Sequence, residues 1–128
     1  MIFGIGVDLV EVSRIRESLE KFPERFARKV FTKVEQEYCT RMPEPAMHYA
    51  ARFAAKESFL KALGTGKARG IAWTEVGVAN LDSGQPTLEL SGRAAEVMAE
   101  RGAAVAHVSL SHSKGHALAA VVLEKLGE

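Results

Sequence analysis

The sequence predicts an α+β fold: a single domain over residues 1–128, with an antiparallel sheet packed against one long central helix. Three observations support this prediction. The first half of the chain has mostly helical patterning, and the second half alternates short β-rich segments with turns. The chain is 128 residues long, 47% hydrophobic and 26% charged, which is typical of one folded domain with one core. Finally, no linker-like segment divides it.

The first half is predicted to begin with one strand and three short helices. Residues 2–8 form the strand, in which two glycines indicate that another backbone or a ligand approaches closely. Apolar residues at helical spacing follow over residues 10–22, and Pro23 interrupts the pattern and starts a second helix. The Thr32-Lys-Val-Glu35 segment has the form of a capping box and predicts a third helix.

The longest helix is predicted over residues 45–63. Its alanine-rich sequence favours helix strongly, and Gly64 is placed to end the helix as a C-terminal cap. The alanines also allow neighbouring backbone to come close. A loop is expected from Gly64 to about Ile71.

The second half is predicted to contain four strands and one helix. The strands lie at residues 76–81, 86–90, 104–111 and 117–124. A turn separates the first two strands, and a hairpin-like connection that contains Gly115 joins the last two. Ser91 is placed to cap the helix between the two pairs.

Composition and charge argue against four classes of protein. The apolar content is too high, and the net charge of +1 too low, for a disordered chain. No run of eighteen apolar residues is free of charge and the N-terminus lacks a signal-peptide pattern, so we expect no membrane segment and no secretion. A near-neutral chain is not typical of nucleic-acid binders. The single cysteine, Cys39, forms no internal disulfide, which favours the cytoplasm.

The charge is concentrated in one segment of the chain. Residues 14–33 contain seven basic and three acidic residues, a net charge of +4, so the remainder carries −3. A solvated helix face with ion pairs one turn apart explains this pattern, and so does a docking surface for an acidic partner.

Two carboxylates are the strongest candidates for chemistry. Asp8 follows a strand that should be buried, where a carboxylate is costly unless it caps the next helix, is paired or binds a metal. Glu57 precedes Lys61 by one helical turn, a spacing common in exposed ion pairs, but small alanines on the same side indicate close packing. Brought together, the two carboxylates would form an oxygen site for Mg²⁺, with Lys56 and Lys61 near substrate phosphates.

A polar segment at residues 109–114 is the third candidate. His112 there is either a surface residue of the turn or a phosphate contact. The chain contains no Walker A sequence, no G-x-G-x-x-G and no G-x-S-x-G elbow, so a Ser/His/Asp hydrolase is a weak interpretation. His48 and His107 lack the spacing of zinc ligands.

Two longer motifs and three shorter segments occur in an order that is specific to one enzyme family. Residues 4–15 read Gly-Ile-Gly-Val-Asp-Leu-Val-Glu-Val-Ser-Arg-Ile, and residues 52–66 read Arg-Phe-Ala-Ala-Lys-Glu-Ser-Phe-Leu-Lys-Ala-Leu-Gly-Thr-Gly. The shorter segments are residues 26–32 together with Glu35, residues 84–86 and residues 108–113. Over nearly its whole length the chain resembles the holo-[acyl-carrier-protein] synthase family of bacterial 4′-phosphopantetheinyl transferases.

The resemblance implies an activity, a fold and an assembly. Members transfer the 4′-phosphopantetheine arm of coenzyme A to a serine of an acidic apo-acyl carrier protein in fatty acid biosynthesis, and release adenosine 3′,5′-bisphosphate. They need Mg²⁺. The implied fold is the α+β 4′-phosphopantetheinyl transferase fold, assembled as a homotrimer with active sites at the subunit interfaces.

The resemblance also implies roles for individual residues. Asp8 and Glu57 hold the metal, and Lys61 neutralises the phosphoryl group and assists the leaving group. The residues near the coenzyme A phosphates and adenosine are Lys56, Gly64, Pro86, Ser111 and His112. The basic residues that receive the carrier protein are Arg14, Lys21, Arg25 and Arg28. The base that takes the serine proton is Glu57 itself or a metal-bound water.

Two other functions are consistent with the residues. A non-catalytic module would bind acidic proteins through residues 14–33, although the presence of Asp8, Glu57 and Lys61 favours an enzyme. A Mg²⁺-dependent hydrolase of nucleotide pyrophosphates would consume coenzyme A without any carrier protein.

Overall fold

The computed structural model describes residues 1–127, over which five α-helices and five β-strands form an α+β fold. In chain order these are β1 (Ile2–Glu11), α1 (Val12–Lys21), α2 (Pro23–Val30), α3 (Lys33–Thr40), α4 (Pro45–Leu63), β2 (Val76–Asn80), β3 (Pro86–Leu90), α5 (Gly92–Glu100), β4 (Val105–His112) and β5 (His116–Glu124). A short 3-10 helix, Trp73–Glu75, precedes β2. Over residues 1–127, no helix is both long and apolar enough to cross a membrane.

Local sequence signals set several helix ends. The Thr32 hydroxyl accepts a hydrogen bond from the Glu35 N–H at 3.1 Å, and the Glu35 carboxylate accepts one from the Thr32 N–H at 2.8 Å. The predicted capping box is therefore confirmed. Gly64 ends α4 in the left-handed conformation with a φ of 85°, as its sequence position predicted.

The start of α5 differs from the prediction. Ser91 occupies the N-cap position, but its side chain makes no capping hydrogen bond. The Glu75 carboxylate accepts a hydrogen bond from the Ala94 N–H at 3.3 Å instead, and one from the Ala72 N–H at 3.1 Å. A full negative charge at the helix N-terminus satisfies the backbone donors and the helix dipole better than a hydroxyl does. Although desolvation opposes it, this backbone hydrogen bonding lowers the pKa of Glu75.

The strands form two separate antiparallel sheets. One has the order β1-β5-β4, and the other consists of β2 and β3 alone. The predicted hairpin of the last two strands is confirmed as β4 and β5, which extend to His112 and His116. In the larger sheet Asp8 is paired with Ala119 of the central strand.

Helix α4 packs against β1 at very short range. A Cβ atom at Gly6 would overlap the Ser58 carbonyl oxygen, and one at Gly4 would overlap the Ala62 carbonyl oxygen. The close approach predicted from the two glycines is confirmed, and the approaching backbone belongs to α4. This contact places Asp8, two residues after Gly6, against the middle of α4.

One face of β1 is exposed, so the prediction that this strand is buried is wrong for half of its residues. Ile5, Val7 and Leu9 are between 51% and 62% exposed. Leu118, the partner of Leu9 on β5, is 39% exposed. Alternate residues of a strand lie on the same face of a sheet, so these side chains form one uncovered apolar surface, called here the apolar sheet face.

Candidate active site

A cleft of about 400 Å³ contains both predicted carboxylates. Asp8 comes from β1, Glu57 and Phe53 come from α4, and Arg14 comes from α1. Strand and helix thus bring the two carboxylates to one site, as expected from a close contact between β1 and α4. We call this site the carboxylate cleft.

Lys61 is tied to Asp8 and not to Glu57. Its ammonium nitrogen is 2.9 Å from Asp8 Oδ1 and donates to the Val7 carbonyl at 3.0 Å. The Asp8 side chain is 14% exposed, whereas that of Lys61 is 52% exposed. Asp8 lies within β1, and the N-cap residue of α1 is Glu11. The helix-cap interpretation of Asp8 and the surface-pair interpretation of Glu57 are both wrong in this structure.

Glu57 has a raised pKa. Burial is the largest cause of the raised pKa, and the negative charge of Asp8 raises the pKa further. The positive charges of Lys61 and Arg14 have the opposite, smaller effect. The ionised forms of the two carboxylates therefore repel each other, and a bound divalent cation would relieve that repulsion.

The donor set of the cleft fits Mg²⁺. Within residues 1–127 no group of three or more His, Cys, Asp or Glu side chains is arranged to hold a metal ion. Two carboxylates leave most coordination positions to water and to substrate oxygens. Mg²⁺ is commonly held in this way, by one or two carboxylates together with substrate phosphates.

Lys56 lies in the core and not in the carboxylate cleft. Its fully buried ammonium is 2.8 Å from Glu35 Oε1 and donates to the carbonyls of Trp73, at 3.0 Å, and Val76, at 2.7 Å. These contacts use all three of its N–H donors. The expectation that Lys56 meets coenzyme A phosphates is therefore wrong in this structure.

The buried ion pair instead completes an open edge of β2. This strand pairs only with β3, and on its other side the Val78 N–H donates to Glu35 Oε2 at 2.7 Å. Lys56 satisfies the Val76 carbonyl on the same side. The pair takes the place of a neighbouring strand and fastens β2 to α3 and α4.

A second pocket, of about 520 Å³, contains two of the predicted coenzyme A residues, Pro86 and His112. We call it the histidine pocket. Ser111 lies outside its lining, exposed on β4 opposite Leu118, and Gly64 lies at the far end of α4. None of the residues that line this pocket lines the carboxylate cleft. One chain therefore keeps the predicted metal ligands apart from the predicted nucleotide contacts.

Sequence reasoning assigned no role to four other residues that line the histidine pocket: Tyr38, His48, Arg52 and Asn80. The His48 and His112 rings are 5.1 Å apart, and the Arg52 guanidinium lies 3.9 Å from the Tyr38 ring centre. Burial, then His112 and Arg52, lowers the pKa of His48, which favours its neutral form. Two of these residues could have been noticed in the sequence. Arg52 is the first residue of the second sequence motif, and Asn80 is a polar residue at the end of a strand, before a turn.

The predicted carrier-binding residues lie on α1 and α2. Arg14 borders the carboxylate cleft, and Lys21, Arg25 and Arg28 are exposed. Arg28 also forms an exposed ion pair with Glu24 at 3.6 Å. Of the four residues, Arg28 therefore fits the alternative interpretation of a solvated helix face with ion pairs one turn apart.

A protein-family model decides what this architecture is. The model described as "4'-phosphopantetheinyl transferase superfamily" matches residues 4–121. The chain belongs to the 4′-phosphopantetheinyl transferase superfamily. The matched region includes every residue of the carboxylate cleft and of the histidine pocket.

Individual members of the superfamily are similar over the full length. A holo-[acyl-carrier-protein] synthase of Trichlorobacter lovleyi is 52% identical, over 97% of this chain and 98% of its own. One from Syntrophus aciditrophicus is 49% identical, over 98% of each. The crystal structure of the Neisseria meningitidis synthase has a TM-score of 0.89 at 34% identity, covering 98% of this chain and 100% of its own. That of the Bacillus anthracis synthase in complex with CoA (3′,5′-ADP) has a TM-score of 0.81 at 35% identity, covering 98% and 99%.

Proposed function

We propose that this chain transfers the 4′-phosphopantetheine arm of coenzyme A to a serine of an apo-acyl carrier protein and releases adenosine 3′,5′-bisphosphate. The observation that carries the proposal is that Asp8 and Glu57 share one cleft and Lys61 is paired with Asp8, in a chain 52% identical to a holo-[acyl-carrier-protein] synthase. Fatty acid biosynthesis in the cytoplasm is the proposed setting. The single, buried cysteine is consistent with it.

We assign Asp8 and Glu57 as the residues that hold Mg²⁺. The carboxylate cleft supports this because its two carboxylates repel each other and leave room for substrate oxygens. A bound Mg²⁺ would neutralise charge on the pyrophosphate oxygens of coenzyme A.

The chain's own residues supply the remaining chemistry. The serine hydroxyl attacks the phosphorus that bears the pantetheine arm, the bond to the adenylate phosphate breaks, and negative charge develops on the departing phosphate. The half-exposed Lys61 ammonium, 2.9 Å from Asp8 Oδ1, would neutralise that charge. The serine proton goes to Glu57, whose carboxylate lines the same cleft.

The proposal is tested by incubating the purified protein with coenzyme A, Mg²⁺ and an apo-acyl carrier protein. The carrier should gain the mass of one phosphopantetheine arm, measured by mass spectrometry. Consumption of coenzyme A in a carrier-free control would identify a hydrolase instead. Carrier binding without any mass gain would identify a non-catalytic module. Either result contradicts the proposal.

We propose that the carrier docks on α1 and α2 through Arg14, Lys21, Arg25 and Arg28. Arg14 borders the carboxylate cleft, so the basic surface continues to the reacting groups. Charge complementarity of this kind steers an acidic partner and is screened by salt.

Arg14→Glu is expected to raise the KM for the carrier about tenfold, because one attractive contact becomes repulsive. The KM for coenzyme A should rise far less than that for the carrier, and added salt should reduce the difference between variant and wild type. Lys125→Glu makes the same charge change at an exposed position after β5, outside residues 14–33, and is the matched control. Equal increases in the KM for both substrates, or equal effects of the two variants, would contradict docking through Arg14.

We propose a homotrimer in which the apolar sheet face is covered by neighbouring copies. Two features support it: Ile5, Val7, Leu9 and Leu118 are exposed together, and the carboxylate cleft is separate from the histidine pocket. If the cleft of one subunit meets the histidine pocket of the next, one substrate contacts both. Assembly would then complete the site and bury the apolar surface.

Ile5→Glu is expected to dissociate the assembly and to abolish most transfer activity, because a charge cannot be buried unpaired at such an interface. Light scattering should give three times the 13.9 kDa chain mass for the wild type and one chain mass for the variant. Val34 is a control, because it is similarly exposed, at 51%, but lies on α3. A fully active monomeric wild type, or a Val34→Glu variant that also dissociates, would refute this interface.

A further inference from the structure

The turn between β2 and β3 forms one wall of the histidine pocket. Gly84 and Gln85 of this turn line the pocket, and Pro86 follows them. Two internal hydrogen bonds of 2.8 Å shape the turn, from the Leu81 N–H to the Gln85 carbonyl and from the Gly84 N–H to the Leu81 carbonyl. A two-stranded sheet gives such a turn little support of its own. The position of the wall therefore depends on how the turn is fastened to the rest of the molecule.

Asn80 makes that connection. Its side-chain amide donates from Nδ2 to the Gly84 carbonyl at 2.9 Å, and its Oδ1 accepts from Arg52 Nη2 at 2.6 Å. One exposed side chain thus joins the turn to α4 through two hydrogen bonds in series.

Arg52 is the buried end of this connection. The residue is 2% exposed, and its guanidinium lies 3.9 Å from the Tyr38 ring centre. Among the salt bridges of residues 1–127, none includes Arg52. Its hydrogen-bonded partner in the pocket is the neutral Asn80 amide. The same helix, α4, carries Glu57 and Lys61. The contact with Arg52 therefore fixes the position of the turn relative to the helix that carries the proposed catalytic residues.

We propose that Arg52 and Asn80 are positioning residues for coenzyme A. Arg52 orients the Asn80 amide, and Asn80 holds the Gly84 carbonyl so that the turn and Pro86 stand at a fixed distance from α4. This wall of the histidine pocket is therefore already in place when the nucleotide half of coenzyme A binds. The inference rests on the proposed function, because it takes coenzyme A to be the ligand of the histidine pocket.

Two substitutions of Asn80 separate its two hydrogen bonds. Asn80→Ala removes both. Asn80→Asp keeps an oxygen acceptor for Arg52 but places an oxygen against the Gly84 carbonyl, where the native amide donates. Asp82→Ala, an exposed position in the same turn that does not line the pocket, is the matched control. Asn80 is itself exposed, so all three variants should fold.

Both Asn80 variants are expected to raise the KM and the calorimetric Kd for coenzyme A about tenfold, the effect of one lost or reversed hydrogen bond. The kcat should stay within about twofold, the KM for the carrier should not change, and Asn80→Asp should keep the wild-type Tm. Asp82→Ala should match the wild type throughout.

A wild-type KM for coenzyme A in Asn80→Asp would overturn the inference, because the Gly84 contact would then be irrelevant. Losses of kcat that follow Tm would overturn it too, since they indicate a structural role only. If the wild type binds coenzyme A but modifies no carrier, only the proposed function fails. The Kd values of the Asn80 variants for coenzyme A then still test the inference. If the wild type binds no coenzyme A, both fail.

Discussion

Asp8→Asn and Glu57→Gln are each expected to lower kcat/KM for transfer by about 10²–10³-fold, the scale of losing one charge-stabilising group in an active site. Each substitution removes one of the two charges proposed to hold Mg²⁺ and keeps the shape of the side chain. Raising the Mg²⁺ concentration should therefore restore part of the activity. The measurement is kcat/KM as a function of Mg²⁺ concentration, with Tm recorded for each variant.

Stability distinguishes loss of chemistry from loss of fold in these variants. Folding raises the pKa of Glu57 above its ordinary value of 4.5, so its ionised form destabilises the folded state at neutral pH. Glu57→Gln should thus raise Tm at neutral pH, and the gain should vanish as the pH falls below 4.5, where both states hold the proton. Glu37→Gln, at an exposed position on α3, is the control. Near-wild-type activity in both Asp8→Asn and Glu57→Gln would refute their metal role.

The parts of the fold that sequence predicted are those set by short-range interactions. The Thr32–Glu35 capping box and the Gly64 cap depend on residues within one helical turn, so local sequence was sufficient. The glycines of β1 predicted a close approach because only a missing Cβ permits one. These signals also place Asp8 and Glu57 correctly, since both positions follow from where β1 and α4 lie.

The parts that sequence missed depend on partners distant along the chain. Nothing near Lys56 indicates that its charge is met by Glu35, and the capping box accounts for only one of the two Glu35 oxygens. The cap on α5 comes from Glu75, although Ser91 stands at the position where a cap is expected. Apolar patterning shows that β1 has an apolar face but not whether this chain or another one covers it.

Gly6→Ala is expected to destabilise the protein by about 3 kcal/mol or more, at or above the upper end for overpacking. The added Cβ would overlap the Ser58 carbonyl oxygen and lie 2.8 Å from the Ala62 backbone nitrogen. Both contacts are with backbone inside α4, so no side-chain rotation relieves them. Gly115→Ala is the control, because a Cβ there has no neighbour within 4 Å. Equilibrium denaturation in urea measures both variants, and an unchanged midpoint for Gly6→Ala would contradict the close contact.

Transfer activity should fall further in Gly6→Ala than its lost stability explains. Relief of the overlap requires β1 to move away from α4, and Asp8 on β1 then moves away from Lys61 and Glu57 on α4. Assays at a temperature where the variant is fully folded separate the two effects, because any remaining loss of kcat/KM then reflects geometry. A displacement of about 1 Å is enough to reduce catalysis by 10²-fold when reacting groups must be held in register. A folded variant with wild-type kcat/KM would show that the glycine contact does not position Asp8. A folded and inactive one would make Gly6 a determinant of the site although its own side chain is a hydrogen atom.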